Sequence, residues 1–295
     1  MRMPTRGLAV VLTLFAVGCG PSLPPTVTAQ RSEPPVASPF DALLANPADD
    51  AAFERLKDVL PHNDERTLFV VEGDMPLTAT ALRDYVDRMR VGTPSPDGHR
   101  SRELGINRFN DADDMWPRGQ RTLTYAVDRT SFAASEYAAV VQNLRQAGDE
   151  WNRICEHCEV SFQHLDTLDG APSLDRVRFI VTRNRRATLL YIAEAFYPHE
   201  PKQERYLRVD PAYFTSRLNR VGVFRHEFGH ILGYRHEYVP GISGCAPEGG
   251  SQRRLTTPTR DSVMHYFCGS EVAADLPLAI TNIDKAGHTG LYGRP

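Results

Sequence analysis

Residues 226–237 read HEFGHILGYRHE, which places three of the chain's 10 histidines, two glutamates and two glycines in twelve positions. On an α-helix, residues four apart lie on one face a turn apart, so His226 and His230 can aim their imidazoles at a common point. His236 follows His230 by six residues and would leave that face if the helix continued. Gly233 lies between them, and glycine enters left-handed backbone conformations without steric cost. The stretch therefore predicts a helix that stops at Gly233 and a chain that turns to carry His236 back to the other two rings. Any fold adopted by the chain has to supply a helix, a hinge and a return at this point.

Three converging imidazoles are the donor set of a catalytic zinc site, which takes three protein ligands and keeps a position open for water. Glu227 adjoins the first ligand without being needed as one. Its carboxylate suits a general base, taking a proton from a water whose pKa the metal lowers toward about 7 and handing it later to a leaving amine. The alternative is a helix with ordinary surface histidines. HEFGH alone leaves that alternative open; Gly233 and His236 in register argue against it.

The segment resembles the extended zinc signature of the metzincin clan of metallopeptidases, with Glu237 after the third histidine in the astacin manner. A second match, SVMHY at 262–266, is similar to the methionine turn of astacins. The resemblance implies that Met264 forms an apolar floor under a single zinc ion and that Tyr266 is a displaceable extra ligand that stabilises the oxyanion. Ordinary core packing is the other role for either residue. MWPRGQRTLTYAVD resembles the opening strand of such domains and ITNIDKAGHTGLYG their closing helix, so the similarity runs over 115–295. TLLYIAEAF then becomes an antiparallel edge strand along the cleft, where an extended substrate pairs its backbone, or else an interior strand. In astacins the acid at Glu237 meets the amino terminus freed by propeptide cleavage; a role behind the ligands or on the surface is the alternative. VEGDM resembles the propeptide motif whose aspartate, here Asp74, caps the zinc, and it also makes a good surface turn. Bacterial matrixin-like proteases fit almost as well as astacins.

Around these motifs the fold class reads as α+β: a metzincin-like domain with a small, mixed, mostly parallel sheet on two long helices and an irregular C-terminal subdomain ending in a helix. RTLTYAVD alternates as a half-buried strand does. Tyr137, Val140, Val141, Leu144, Ala147, Trp151 and Ile154 make one apolar helical stripe. EVSFQHL, RVRFIVT, TLLYIAEAF and RYLRVD are strand candidates, and a second helix is expected from Asn219 to Leu232. Upstream, residues 41–110 form a small N-terminal region, a candidate propeptide, with helix patterns in FDALLANPADDAAFERLKDVL and TATALRDYVDRMR around a strand TLFVVEG. VGTPSPDGHRSRELG reads as a linker to a catalytic domain over 115–295.

Residues 1–19 carry Arg2 and Arg6 ahead of a short apolar run that ends in small residues, the pattern of a bacterial export signal. FAVGC resembles a lipoprotein box in which Cys19 becomes the lipidated first residue, although Ala16 stands where leucine is preferred; simple cleavage is the alternative. Residues 20–40 are proline-rich and read as a tether. Setting Cys19 aside leaves four cysteines, and in an exported protein an even set suggests disulfides, for which Cys245 with Cys268 and Cys155 with Cys158 are the favoured pairs. A thioredoxin-like redox role for CEHC lacks the surrounding pattern. The net charge of −3 offers no basis for nucleic-acid binding. The arginines of RNRRA at 183–187 read as a solvated loop, with a preference for acidic residues at one end of the cleft as the alternative.

These features together imply an exported zinc endopeptidase acting on extracytoplasmic proteins or peptides, secreted or held at the cell envelope, touching a membrane only through an N-terminal lipid. A catalytically silent zinc-containing binding lipoprotein of the same fold is the rival.

Overall fold

The computed structural model describes residues 39–60, 62–63, 65–71, 75–80, 82–83, 86–87, 104–185, 191–237, 252–257, 261–265 and 277–294. Cys19, Asp74, Cys245, Cys268 and Tyr266, with the roles expected of them, lie outside those residues.

In the N-terminal region the first helix pattern is two helices, α1 (Pro39–Ala45) and α2 (Asp50–Val59). The break falls at Asn46–Pro47, since proline disfavours a helical conformation in the residue before it. Asp49 then caps α2 by accepting from Ala52 N at 2.9 Å. Strands β1 (Phe69–Val71) and β2 (Met75–Leu77) pair antiparallel. Leu43, Phe53, Leu56, Phe69, Leu82 and Val86 bury one another in a core cluster of their own.

The main domain begins ahead of the expected boundary at Met115. β3 (Gly105–Phe109), within the stretch read as N-terminal region and linker, turns into β4 (Ala112–Asp113). It also pairs antiparallel with two strands far along the chain, β10 (Tyr234–Arg235) and β11 (Gln252–Arg254). A second sheet holds β5 (Thr122–Val127), β6 (Ser161–His164), β7 (Phe179–Arg183), β8 (Ala193–Glu194) and β9 (Tyr206–Val209) in the order β6-β5-β7-β9-β8. The first four run parallel, and β8 lies antiparallel to β9 at the end of the sheet. TLLYIAEAF thus contributes an edge strand rather than an interior one. The mixed, mostly parallel sheet with two long helices is the expected α+β class.

Those helices are α3 (Ala134–Asn152) and α4 (Arg220–Ile231). The predicted stripe on α3 buries Val140, Leu144, Ala147 and Trp151. Phe228 of α4 stacks on Phe162 with ring centroids 4.1 Å apart and meets Phe179 edge-on. Truncating a ring so packed costs about 3–5 kcal/mol. Arg225 locks the two helices together: its Nη2 donates to Glu150 at 2.8 Å and the two side chains form an ion pair, while Trp151 Nε1 donates to the Arg225 carbonyl.

The chain closes with α5 (Asn282–Tyr292), capped by Thr281. Buried Arg121 ties its end to the rest, donating to the carbonyls of Trp116, Cys158 and Tyr292. Cys155 and Cys158 form the expected disulfide in that neighbourhood. Arg183, at the head of RNRRA, pairs with Glu136 at 3.1 Å and is not a loose loop charge.

His288 of α5 sits 2.8 Å from the Tyr234 hydroxyl through Nδ1. Burial, aided by the charge of Arg121, pushes its pKa down to about 3 from 6.5. The unfolded residue takes up a proton below about 6.5 that the folded one refuses until about 3, so stability is intact above that window and falls as the pH drops through it. In metal-free protein, where ligand protonation releases no ion, the melting temperature is expected to fall steeply between pH 6.5 and 3, and less steeply in His288→Gln. Equal slopes for the two proteins would refute this.

Candidate metal centre

Helix α4 starts where Asn219 Oδ1 accepts from Gly222 N at 2.8 Å, a side-chain cap that sets the rotational phase of everything downstream. One turn separates His226 from His230, and both are buried. The helix ends as the spacing requires. Leu232 is its C-cap and Gly233 follows at φ +93°. The last carbonyls all find donors: His230 O from Gly233 N, Ile231 O from the Trp116 indole at 2.7 Å, and Leu232 O from the Tyr292 hydroxyl at 2.8 Å.

Beyond the hinge the backbone is held on two sides. β10 pairs with β3, and the Gly233 carbonyl accepts from Asn107 N at 2.8 Å. On the other side Glu237 N donates to the Met264 carbonyl at 2.7 Å. His236 lies between these two attachments, which deliver its ring to the helix pair. His236 Nε2 stands 2.9 Å from Nε2 of His226 and 3.1 Å from Nε2 of His230.

The protonation of two rings follows from their other nitrogens. His226 Nδ1 lies 2.8 Å from the Val263 carbonyl, and His230 Nδ1 lies 2.9 Å from the Tyr234 carbonyl. A carbonyl only accepts, so each Nδ1 carries the proton and each neutral ring keeps a bare lone pair on Nε2. Those lone pairs face a third imidazole nitrogen at hydrogen-bond distance in a buried site, an arrangement that a cation at their shared point relieves. A tetrahedral ion with zinc-to-nitrogen bonds of 2.0–2.1 Å spaces its ligands about 3.3 Å apart, close to what the rings adopt. The residues present thus fit zinc. Among the described residues one other set, Cys155, His157 and Cys158, brings three such donors together, but its two sulfurs are joined in the disulfide.

Met264 is fully buried beneath the helix, where its thioether packs directly on Gly229, between the two helical ligands. A Cβ at Gly229 would overlap Met264 Sδ. Core packing, the other role open to Met264, is the contact observed. The turn that carries Met264 is fixed by Asp284 of α5, which accepts from Ser262 Oγ at 2.7 Å and Val263 N at 3.1 Å as well as from Thr281. Asp284 consequently also fixes the carbonyl that orients His226. Glu227 is buried at 3% exposure beside His226. Glu237 is buried at 1% exposure, which rules out the surface role left open for it.

Several contributors escaped the sequence reading: Trp116 and Tyr292 at the helix end, Asn107 at the hinge, and Tyr197, whose ring meets His230 edge-on at 5.6 Å. Trp116 and Tyr292 lay inside stretches already singled out, but nothing local signals that their polar atoms reach the end of α4.

No protein-family model matches the chain, and no curated protein matches it in sequence. Among solved structures, that of myroilysin superposes with a TM-score of 0.42 at 16% identity, over 65% of this chain and 99% of that one. High choriolytic enzyme 1, a hatching enzyme zinc-protease from Oryzias latipes (medaka fish), superposes with a TM-score of 0.39 at 14% identity, over 65% of this chain and 100% of that one.

Proposed function

We propose that the chain is a zinc-dependent endopeptidase in which His226, His230 and His236 hold one ion and Glu227 is the general base. The observation that carries this reading is the convergence of three Nε2 atoms, two of them with lone pairs fixed inward by carbonyls behind the rings. When bound, zinc supplies Lewis acidity toward water and the scissile carbonyl. Glu227 takes the proton of the attacking water and returns it to the leaving nitrogen. Tyr266, two residues past the buried Met264, is the proposed donor to the developing oxyanion. A peptide laid along β8 extends the sheet at its end, and Tyr197 brings the chain after that strand against His230.

The same proposal takes residues 1–19 as an export signal, Cys19 as the site of lipid attachment or the neighbour of a simple cleavage, and the N-terminal region ahead of β3 as removable; the expected bound at 110 moves back because β3 pairs with β10 and β11 and Asn107 holds the hinge. No helix among the described residues is long and apolar enough to cross a membrane.

Hydrolysis of a mixed peptide library by the purified protein is expected to stop on addition of a zinc chelator and to return with added zinc. Hydrolysis that persists through chelation would overturn the proposal; a zinc-loaded chain that cleaves nothing would favour the silent binding lipoprotein.

A further inference from the structure

Cys155 and Cys158 are three residues apart, so their disulfide closes too short a loop to remove much freedom from the unfolded chain. What it fixes is local. The bridge spans a 3-10 turn, Glu156–Cys158, just past the end of α3, and sets there the directions of the Cys158 carbonyl and the His157 side chain. Both are seated against the C-terminal end of α5. Arg121 Nη1 donates to the Cys158 carbonyl at 2.9 Å and to the Tyr292 carbonyl at 2.7 Å, joining the turn to the last residue of that helix. A Cβ at Gly293, the next residue, would come within 2.9 Å of His157 Nε2, so the imidazole lies directly on the helix end.

Helix α5 in turn braces the metal centre at two points. Tyr292 donates its hydroxyl proton to the Leu232 carbonyl, at the end of the helix that carries two of the three histidines. Asp284 holds Ser262 and Val263, and the Val263 carbonyl orients His226. Arg121 adds a third route, since its Nε donates to the Trp116 carbonyl and the Trp116 indole caps Ile231. A helix moves as a unit, so the seating of one end of α5 bears on both of its braces.

The bridge is also approachable from one side. Cys158 is fully buried and Cys155 keeps 8% exposure, so an attacking thiolate reaches Cys155. His157 Nε2 stands 3.4 Å from Cys155 Sγ, placed to donate to that sulfur once it is a thiolate.

We propose that the Cys155–Cys158 disulfide is a redox-controlled brace on the zinc site, opened by a dithiol reductant and weakening the hold on zinc when open. The inference rests on the zinc reading of the three histidines and adds a control on it. A thiolate of the reductant attacks Cys155 Sγ, the sulfur–sulfur bond breaks, and Cys158 leaves as a thiolate that takes a proton. The second thiol of the reductant, giving up its proton, attacks its partner sulfur in the mixed disulfide and releases Cys155, which is protonated in turn. Two electrons pass to the protein sulfurs, and the reductant ends as a disulfide.

The test measures zinc affinity of the whole chain by competition with a chromophoric chelator, before and after reduction by a phosphine, which adds no thiol of its own. Affinity is expected to fall about tenfold on reduction. Linkage requires zinc to make the bridge harder to reduce by the same factor, read by thiol alkylation in equilibrium with a dithiol. Cys155→Ser/Cys158→Ser should hold zinc at the lower affinity with or without reductant, which separates this bridge from the other cysteines and from zinc capture by freed thiols. If that chain does not fold, Tyr292→Phe, which keeps the ring and loses the bond to Leu232, should shrink the tenfold change. Equal affinity in the oxidised wild type and the double variant, a double variant that still loses affinity on reduction, or a Tyr292→Phe chain that keeps the full change overturns the brace and leaves the protease reading standing. A protein that binds no zinc in either state overturns the zinc reading and the brace with it.

Discussion

Glu227→Gln is expected to lower kcat/KM for peptide hydrolysis by about a hundredfold to ten-thousandfold, the usual contribution of a general base, while the metal content of the protein stays at the wild-type value. Glutamine matches the shape of glutamate, so the packing of a side chain only 3% exposed is kept. None of the three converging nitrogens belongs to residue 227, and the carbonyls that orient His226 and His230 come from Val263 and Tyr234. What the substitution removes is a site that can take up a proton. Hydrolysis and zinc content measured on the same preparation separate the two roles. A variant that cleaves within a few-fold of wild type would show that residue 227 carries no proton in the reaction, and one that loses its metal would show that the carboxylate helps to hold the ion.

Gly233→Ala is expected to cost several kcal/mol of stability and to weaken zinc binding at the same time. Two penalties add. At φ +93° an alanine occupies a left-handed conformation, worth about 1–2 kcal/mol against it. Its Cβ would also overlap the Asp114 carbonyl oxygen and stand 2.8 Å from Ile106 Cδ1, so either the β3 region or the His236 arm has to move. Gly119 provides the control, because it shares the positive φ, at +83°, with no atom within 4 Å of a built Cβ. Gly119→Ala should pay the conformational cost alone and leave zinc affinity untouched. Denaturant unfolding together with zinc titration of both variants tests this. Matching losses of stability with unchanged affinity would mean that the hinge does not place His236.

The contrast between these glycines also shows where the sequence is legible. The ends of α4 can be read from the capping Asn219 and from Gly233, and the helical stripe of α3 from its apolar spacing, because both signals are carried by residues within one or two turns of each other. The convergence of the histidines is legible for the same reason: four residues of helix and one hinge fix it. β3 is not. Its five residues follow a stretch rich in breakers, and what makes them a strand is pairing with residues 234–235 and 252–254, more than a hundred positions away. β8 is only two residues long, too short for an alternating pattern to set its bounds or to say which side of the sheet it closes. Pro47 was a readable breaker inside an otherwise continuous helical pattern, and a stricter use of its effect on the preceding residue divides α1 from α2. The contacts behind the ligands are the least legible. The Val263 and Tyr234 carbonyls, the Trp116 indole and the Asp284 carboxylate act through backbone direction and distant packing, and no local spacing encodes either.

The central claim is that a helix, a glycine hinge and a clamped return gather three imidazoles around one ion. Zinc-edge X-ray absorption on the stoichiometrically loaded protein tests it most directly. The account predicts one zinc per chain with three imidazole nitrogens at about 2.0–2.1 Å, and loss of that signal in His236→Ala. A chain that takes up no zinc, or one whose zinc is surrounded by sulfur, would contradict it.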